Sequence, residues 1–191
     1  EKFNKARDLA KKIDRLQDHI GKNLTSGDIK TRKVATVAYL IEALKLRVGD
    51  EKDPDEADTV GATTLRPNHI MINSNTRVNF DFLGKDSVRW QKEVELPEVV
   101  VKNLEEIKNE AEKSREEAAI FNGIRSEHVN SFLAQVMQGL TAKVFRTYYA
   151  SDVVKKSLEK ANVTADELVI VKKHVATMAN LEAAIILNHK R

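Results

Sequence analysis

Residues 70–90 read IMINSNTRVNFDFLGKDSVRW, and this stretch decides the fold. Ile70 and Ile72 alternate with other residues. So do Val78, Phe80 and Phe82, and then Val88 and Trp90. A period of two puts those side chains on one face of a strand, because successive residues of an extended chain point to opposite sides. Asn73, Ser74 and Asn75 suit the first turn, since short polar side chains bond their own backbone, and Leu83 to Ser87 around Gly84 suits the second. The stretch therefore predicts three short strands of an antiparallel meander.

On both sides of the meander the period is helical. Leu9, Ile13, Leu16 and Ile20 recur at four and three, with Gly21 as a stop. Thr25, Ser26 and Gly27 offer a cap for a second helix carrying Val34, Val37, Ile41 and Leu44 and ending near Gly49. Asp50 to Asp58 is acidic, contains Pro54 and is expected to be a loop. Val60 to Leu65 suits a short helix halted by Pro67. After Pro97, Val100, Leu104 and Ile107 restore the helical period, followed by a charged stretch from Lys108 to Glu117 and a break over Phe121 to Arg125. Ser126 is expected to cap a helix with Val129, Phe132, Leu133 and Val136, stopped by Gly139. Thr141 opens the next helix, to about Ala150, and Asp152 to Ala161 forms another. Thr164 caps a long last helix with Leu168, Val171, Val175, Met178, Leu181 and Ile185. The expected class is mainly α with a small three-stranded antiparallel sheet, divided into a helical part (1–66), a β meander (67–96) and a helical part (97–191).

The chain has 191 residues, 41% apolar and 32% charged, the balance of a globular protein with a real core. No stretch approaches the roughly 18 apolar residues of a membrane span. Without cysteine there is no disulfide, thiolate metal site or cysteine nucleophile. The net charge is +3, which permits nucleic-acid binding without establishing it. Basic residues crowd the first helix (Lys5, Arg7, Lys11, Lys12, Arg15) and the C-terminal segment (Lys172, Lys173, His174, His189, Lys190, Arg191). No phosphate-binding glycine loop, HExxH or dinucleotide fingerprint occurs, and the five histidines lack ligand spacing, so no metal site is expected. No heptad pattern persists, which favours a monomer.

Four separated blocks carry more information. They are Leu44-Lys45-Leu46-Arg47-Val48-Gly49-Asp50-Glu51-Lys52 with Ala57-Asp58-Thr59-Val60-Gly61, then Phe80 to Ser87 (FDFLGKDS), then Gly139 to Tyr148 (GLTAKVFRTY), and Leu187-Asn188-His189-Lys190-Arg191. In this order and at these separations the chain resembles the catalytic core of eukaryotic and archaeal type IB DNA topoisomerases, over about Lys2 to Arg191. That resemblance implies the tyrosine recombinase and topoisomerase IB fold. It also implies relaxation of supercoiled DNA through a 3′-phosphotyrosyl intermediate, with no cofactor, metal or ATP. The family's two arginines fall on Arg47 and Arg146, its lysine on Lys85 and its histidine on His189. Contacts to duplex DNA are implied for Lys2, for Arg47, Val48, Gly49, Asp50, Glu51 and Lys52, for Thr59, for Lys85 and Asp86, and for Thr141, Ala142 and Lys143. Asp50 stands where many relatives carry asparagine.

These residue types suit the chemistry. Attack on a phosphodiester builds charge on the non-bridging oxygens, and guanidiniums offer paired donors that stay charged. An ammonium can give up its proton, so Lys85 suits the general acid for the leaving 5′-oxygen. Of the three tyrosines, Tyr39 sits in an apolar stripe, and Tyr148 and Tyr149 follow Arg146 closely. None lies where the family places its nucleophile, which belongs to a C-terminal domain beyond the histidine. The expectation is a core fragment without nucleophile or N-terminal lobes, inactive alone and completed by that domain in cis or in trans. A non-catalytic duplex-binding module and a tyrosine recombinase core are the alternatives. Leu65 to Ile70 is similar to the recombinases' strand entry, but they usually carry histidine where this chain has Lys143. Lys/Glu richness and a compact acidic loop lean towards an archaeal source. The working place would be the cytoplasm and nucleoid for an archaeal source and the nucleus for a eukaryotic one.

Overall fold

The computed structural model describes residues 2–50, 60–114 and 119–188. The expectations for Glu51, Lys52, Thr59 and His189 fall outside the described residues, as do those for the side chains of Lys2 and Asp86. Among the described residues the elements run α1 (Lys2–Ala10), α2 (Ile13–Asn23), α3 (Ile29–Leu44), β1 (Ile70–Ile72), β2 (Arg77–Leu83), β3 (Arg89–Glu95), α4 (Glu98–Lys113), α5 (Ser126–Ala134), α6 (Ala142–Ala161) and α7 (Val169–Ile186). This is the expected class: mainly helical, with an antiparallel sheet in the order β1-β2-β3.

The meander follows its period. Val78, Phe80 and Phe82 are buried while their neighbours on β2 are more exposed. Phe82 pairs with Trp90 across the strands. Their rings stack at 5.4 Å, and Phe80 meets the same Trp90 edge-on at 5.7 Å. Such aromatic contacts add about 0.5–1.5 kcal/mol beyond the area they bury. On the opposite face Arg89 donates two hydrogen bonds to the Asp81 carboxylate, at 2.8 and 2.6 Å, tying the two strands where they enter the β2–β3 turn.

The helical core centres on α3, which packs against α2, α4, α5 and α6. Val34, Val37, Leu40 and Ile41 are buried there, and Ala35 and Ala38 add no bulk between the helices. Each buried Leu, Ile or Val contributes roughly 1.5–3 kcal/mol. The buried Asn103 and Thr36 find partners, as burial requires. Asn103 donates to the Leu24 carbonyl at 2.9 Å and to Thr36 Oγ1 at 3.2 Å, and Thr36 donates to the Arg32 carbonyl.

Several boundaries differ from the expectation. The first helix is two: the chain breaks at Lys12 (φ −124°, ψ 5°), whose N–H donates to the Leu9 carbonyl three residues back. Leu9, Leu16 and Ile20 stay buried across the break, so the apolar stripe does not reveal it. Gly21 lies inside α2. Asp28, not Thr25 to Gly27, caps α3, accepting from the Thr31 N–H at 2.8 Å. That helix stops at Leu44, five residues before Gly49, because Lys45 turns left-handed. Ser126 is the first residue of α5, with Arg125 at the cap position. α6 runs unbroken through Ala150, because Ser151 and Asp152 continue the helix. Thr164 lies ahead of α7, which packs through the small Ala179 and Ala183 and leaves Leu168, Val169 and Ile170 exposed. Among the described residues no helix is long and apolar enough to cross a membrane.

Candidate active site

Arg47 belongs to no regular element. It sits in an extended run after α3 and is held by a second segment, residues 60–64. The Arg47 carbonyl accepts from the Ala62 N–H at 2.8 Å, and the Val48 carbonyl from the Thr63 N–H at 2.7 Å and Thr63 Oγ1 at 2.8 Å. Leu46 and Val48 are buried on either side, which leaves the Arg47 side chain exposed. The two segments meet at glycines. Gly49 has φ +123°, a conformation open to glycine. A Cβ on Gly61 would fall 2.4 Å from Gly49 Cα and 2.8 Å from the Arg47 carbonyl. Gly61→Ala therefore must push the Arg47 run aside. The expected result is a loss of about 1–3 kcal/mol in stability, typical of overpacking against backbone, together with loss of any activity that needs Arg47. Denaturant unfolding checks the first effect and strand cleavage the second.

The same clamp reaches the hairpin. The Val60 N–H donates to the Leu83 carbonyl at 2.8 Å, next to the turn that carries Lys85. That turn is one short 3-10 segment, Lys85–Ser87, closed by the Gly84 N–H donating to the Val88 carbonyl at 2.9 Å. Arg47 and Lys85 are thus fixed to each other through Val60 to Thr63, although β1 and β2 lie between them in the sequence.

Arg146 comes from the first turns of α6. Thr141 caps that helix, accepting from the Val144 N–H at 3.3 Å, as its sequence predicts. Arg146 Nε donates to the Lys45 carbonyl at 3.0 Å, so the end of α3 seats it beside Arg47. Burial and the neighbouring Arg47 charge pull the Arg146 guanidinium down to about 10, still protonated at neutral pH. Like charges held together in a half-buried place create demand for an anion.

One small cleft, open to solvent, is lined by Lys45, Arg47, Lys85 and Arg146, with Phe82 and Trp90 among its apolar walls. Leu187 and Asn188 at the end of α7 line it too, so the chain arrives at the cleft one residue before His189. The two guanidiniums beside Lys85 can hold a tetrahedral oxyanion. Lys45 was not anticipated at the cleft wall, and its ammonium donates to the Glu42 carbonyl; its only sequence mark is its place two residues before Arg47.

None of the tyrosines lines this cleft. Tyr39 is half-buried against the core. The Tyr149 hydroxyl donates to Glu42 Oε1 at 2.7 Å, and Tyr148 meets the Tyr149 ring edge-on at 5.1 Å. All three phenols are pushed up from their ordinary value, first by burial and next by Glu42 at Tyr39, Asp152 at Tyr148 and the hydrogen bond to Glu42 at Tyr149. A phenol that resists deprotonation is a poor nucleophile.

The expected DNA-contact residues divide. Arg47, Asp50 and Lys143 are exposed, and Gly49, Lys85 and Thr141 are half-exposed. The Val48 side chain is buried. Ala142 is buried as well, and its N–H donates to Asn130 Oδ1 at 2.9 Å. The Asp50 carboxylate is already engaged. Both its oxygens accept from the Ser126 N–H, at 2.9 and 2.8 Å, so Asp50 supplies the cap at the start of α5 that Ser126 does not. A carboxylate suits that helix end, which carries partial positive charge.

A family model described as "Eukaryotic DNA topoisomerase I, catalytic core" matches residues 1–191. DNA topoisomerase 1 alpha of Arabidopsis thaliana is 41% identical over 191 residues, all of this chain and 20% of that protein. DNA topoisomerase 1 of Candidozyma auris is 40% identical, covering all of this chain and 25% of that protein. The Homo sapiens DNA topoisomerase 1 is 36% identical over 197 residues and 25% of its length. The chain belongs to the catalytic-core family of eukaryotic DNA topoisomerase I. It spans between a fifth and a quarter of the length of these relatives.

Proposed function

We propose that this chain is the phosphate-activating core of an enzyme that relaxes supercoiled duplex DNA by transient cleavage of one strand. The observation that carries the proposal is the convergence of Arg47, Lys85 and Arg146, from three distant stretches of sequence, on one cleft at the end of α7. Arg47 and Arg146 bind the non-bridging oxygens of the scissile phosphate and stabilise the charge that grows there. His189 is assigned as a third donor from its place in the Leu187-Asn188-His189 block alone. A tyrosine oxygen bonds to phosphorus while the bond from phosphorus to the 5′-oxygen breaks. Lys85 gives its proton to that oxygen, leaving a 3′-phosphotyrosyl link and a free 5′-hydroxyl. The strand turns about its partner, and the hydroxyl reverses the reaction. Neither ATP nor a metal ion enters these steps.

The nucleophile comes from outside residues 1–191, from a tyrosine-bearing domain in cis or in trans, because Tyr39, Tyr148 and Tyr149 all lie off the cleft. Lysine and amide contacts to phosphates hold the duplex without reading its sequence. The chain acts as a monomer, and for a eukaryotic source its place is the nucleus. The test is relaxation of supercoiled plasmid in EDTA without ATP, by this chain with and without a separate tyrosine-bearing domain. Relaxation by the mixture alone supports the proposal. Relaxation by the chain alone defeats the outside nucleophile. Inactivity of the mixture with duplex binding retained favours a binding module.

Asp50 gives a second expectation. Its carboxylate caps α5 while standing in a run proposed to face phosphates. Asparagine caps helices about as well as aspartate and carries no charge. Asp50→Asn should therefore leave the melting temperature nearly unchanged and tighten duplex binding by about two- to fivefold at low salt, the worth of one partly screened charge. Fluorescence anisotropy across a salt series checks it.

A further inference from the structure

A polar cluster behind the two arginines takes no part in the steps above. Glu42 on α3 is only 9% exposed. Its Oε1 accepts from Gln17 Nε2 at 2.6 Å and from the Tyr149 hydroxyl at 2.7 Å, which joins α2, α3 and α6 at one point. The Lys45 ammonium donates to the Glu42 carbonyl and lies 3.5 Å from the centroid of the Tyr149 ring. A cation over an aromatic face is held by the ring's quadrupole, more firmly where water is excluded. Burial pulls the Lys45 ammonium below its ordinary value, against the opposing pull of Glu42 and Asp152.

The backbone of Lys45 makes this anchor consequential. Lys45 stands at φ 58°, ψ 29°, the left-handed conformation in which helices usually end on glycine. A lysine adopts it against its own preference, and here its side chain is tied down at the far end. The turn directs the Lys45 carbonyl at Arg146 Nε, 3.0 Å away. It also starts the extended run that carries Arg47.

We propose that Lys45 is a positioning residue of this site: its ammonium, anchored on the Glu42 carbonyl and the Tyr149 ring, holds the left-handed turn whose carbonyl seats the Arg146 guanidinium for the scissile phosphate. The proposal rests on the reading of Arg146 as a phosphate ligand. It gives the buried Glu42 and Tyr149 a function as the base of that seat. Tyr149 thereby takes part in the chemistry at one remove, as a ring and a hydroxyl.

Two readouts test it on three variants, Lys45→Met, Lys45→Gly and Tyr149→Phe. The first is hydrogen exchange of the Arg146 Nε–H in the isotope-labelled 191-residue chain, its signal assigned by loss in Arg146→Lys. The second is cleavage of a suicide duplex by the chain with the tyrosine-bearing domain. Lys45→Met should speed Nε–H exchange by about tenfold or more and slow cleavage about ten- to hundredfold, the cost of a slightly misplaced catalytic group. Duplex affinity should stay within about twofold, since no phosphate contact is lost. Tyr149→Phe should move both readouts the same way, less far. Lys45→Gly, which permits the turn but removes the anchor, should resemble Lys45→Met. The proposal is overturned if Lys45→Gly matches the parent chain in both readouts, because the backbone turn then suffices. It is equally overturned if Lys45→Met leaves the exchange unchanged. If Lys45→Met does not fold, Tyr149→Phe decides by the same criteria. If the parent mixture does not cleave, the reading of the reaction fails, while the exchange readout still decides whether Lys45 seats Arg146.

Discussion

Arg146→Ala is expected to abolish detectable strand cleavage and to leave the protein folded. On the proposed reading its guanidinium binds an oxygen that gains charge only as the reaction proceeds, and removal of one such donor costs about 10²–10³ in rate. Burial and Arg47 lower the Arg146 pKa to about 10, so the folded state disfavours its charge. The sign follows from proton counts: between about 10 and the unfolded value the unfolded chain binds more protons, so stability rises with pH there, and at neutral pH the penalty is present in full. Alanine removes it. The variant should melt no lower than the parent chain, bind duplex with a salt slope smaller by about one and fail to cleave a suicide substrate. A variant that melts far lower would make Arg146 a structural residue.

Lys85→Met removes the proposed proton donor and keeps the length of the stem. Loss of a positioned general acid costs about 10²–10⁴ in rate. The defect should depend on the leaving group. A substrate with sulfur in place of the bridging 5′-oxygen departs as a thiolate and needs no proton. Cleavage of that substrate by Lys85→Met should approach the parent rate, whereas Arg146→Ala should remain slow on both substrates. Equal defects of Lys85→Met on oxygen and sulfur would assign Lys85 to phosphate binding instead.

The class of fold was legible in the alternation of Val78, Phe80 and Phe82 set between helical stripes. Ends of elements were less so. The break at Lys12 leaves the Leu9, Leu16 and Ile20 stripe intact, and the end of α3 rests on a left-handed lysine, where sequence reasoning looks for glycine. At the site, Arg47, Lys85 and Arg146 were visible because they lie inside specific blocks. The bonds that bring them together were not. Ala62 and Thr63 reach Arg47 and Val48 largely through backbone N–H groups, which carry no residue-specific mark, and Gly61 is needed only because another backbone passes so close. The capping of α5 by Asp50, 76 positions away, has no local mark either.

The most direct measurement identifies the tyrosine that becomes attached to DNA. A suicide duplex is cleaved in EDTA by the chain together with a tyrosine-bearing domain, and the protein bonded to the 3′-phosphate is digested and sequenced by mass spectrometry. The cleft formed by Arg47, Lys85 and Arg146 predicts a phosphotyrosyl peptide from the added domain, lost on Arg146→Ala, and none at Tyr39, Tyr148 or Tyr149. A phosphotyrosyl adduct on Tyr148 or Tyr149 would contradict it.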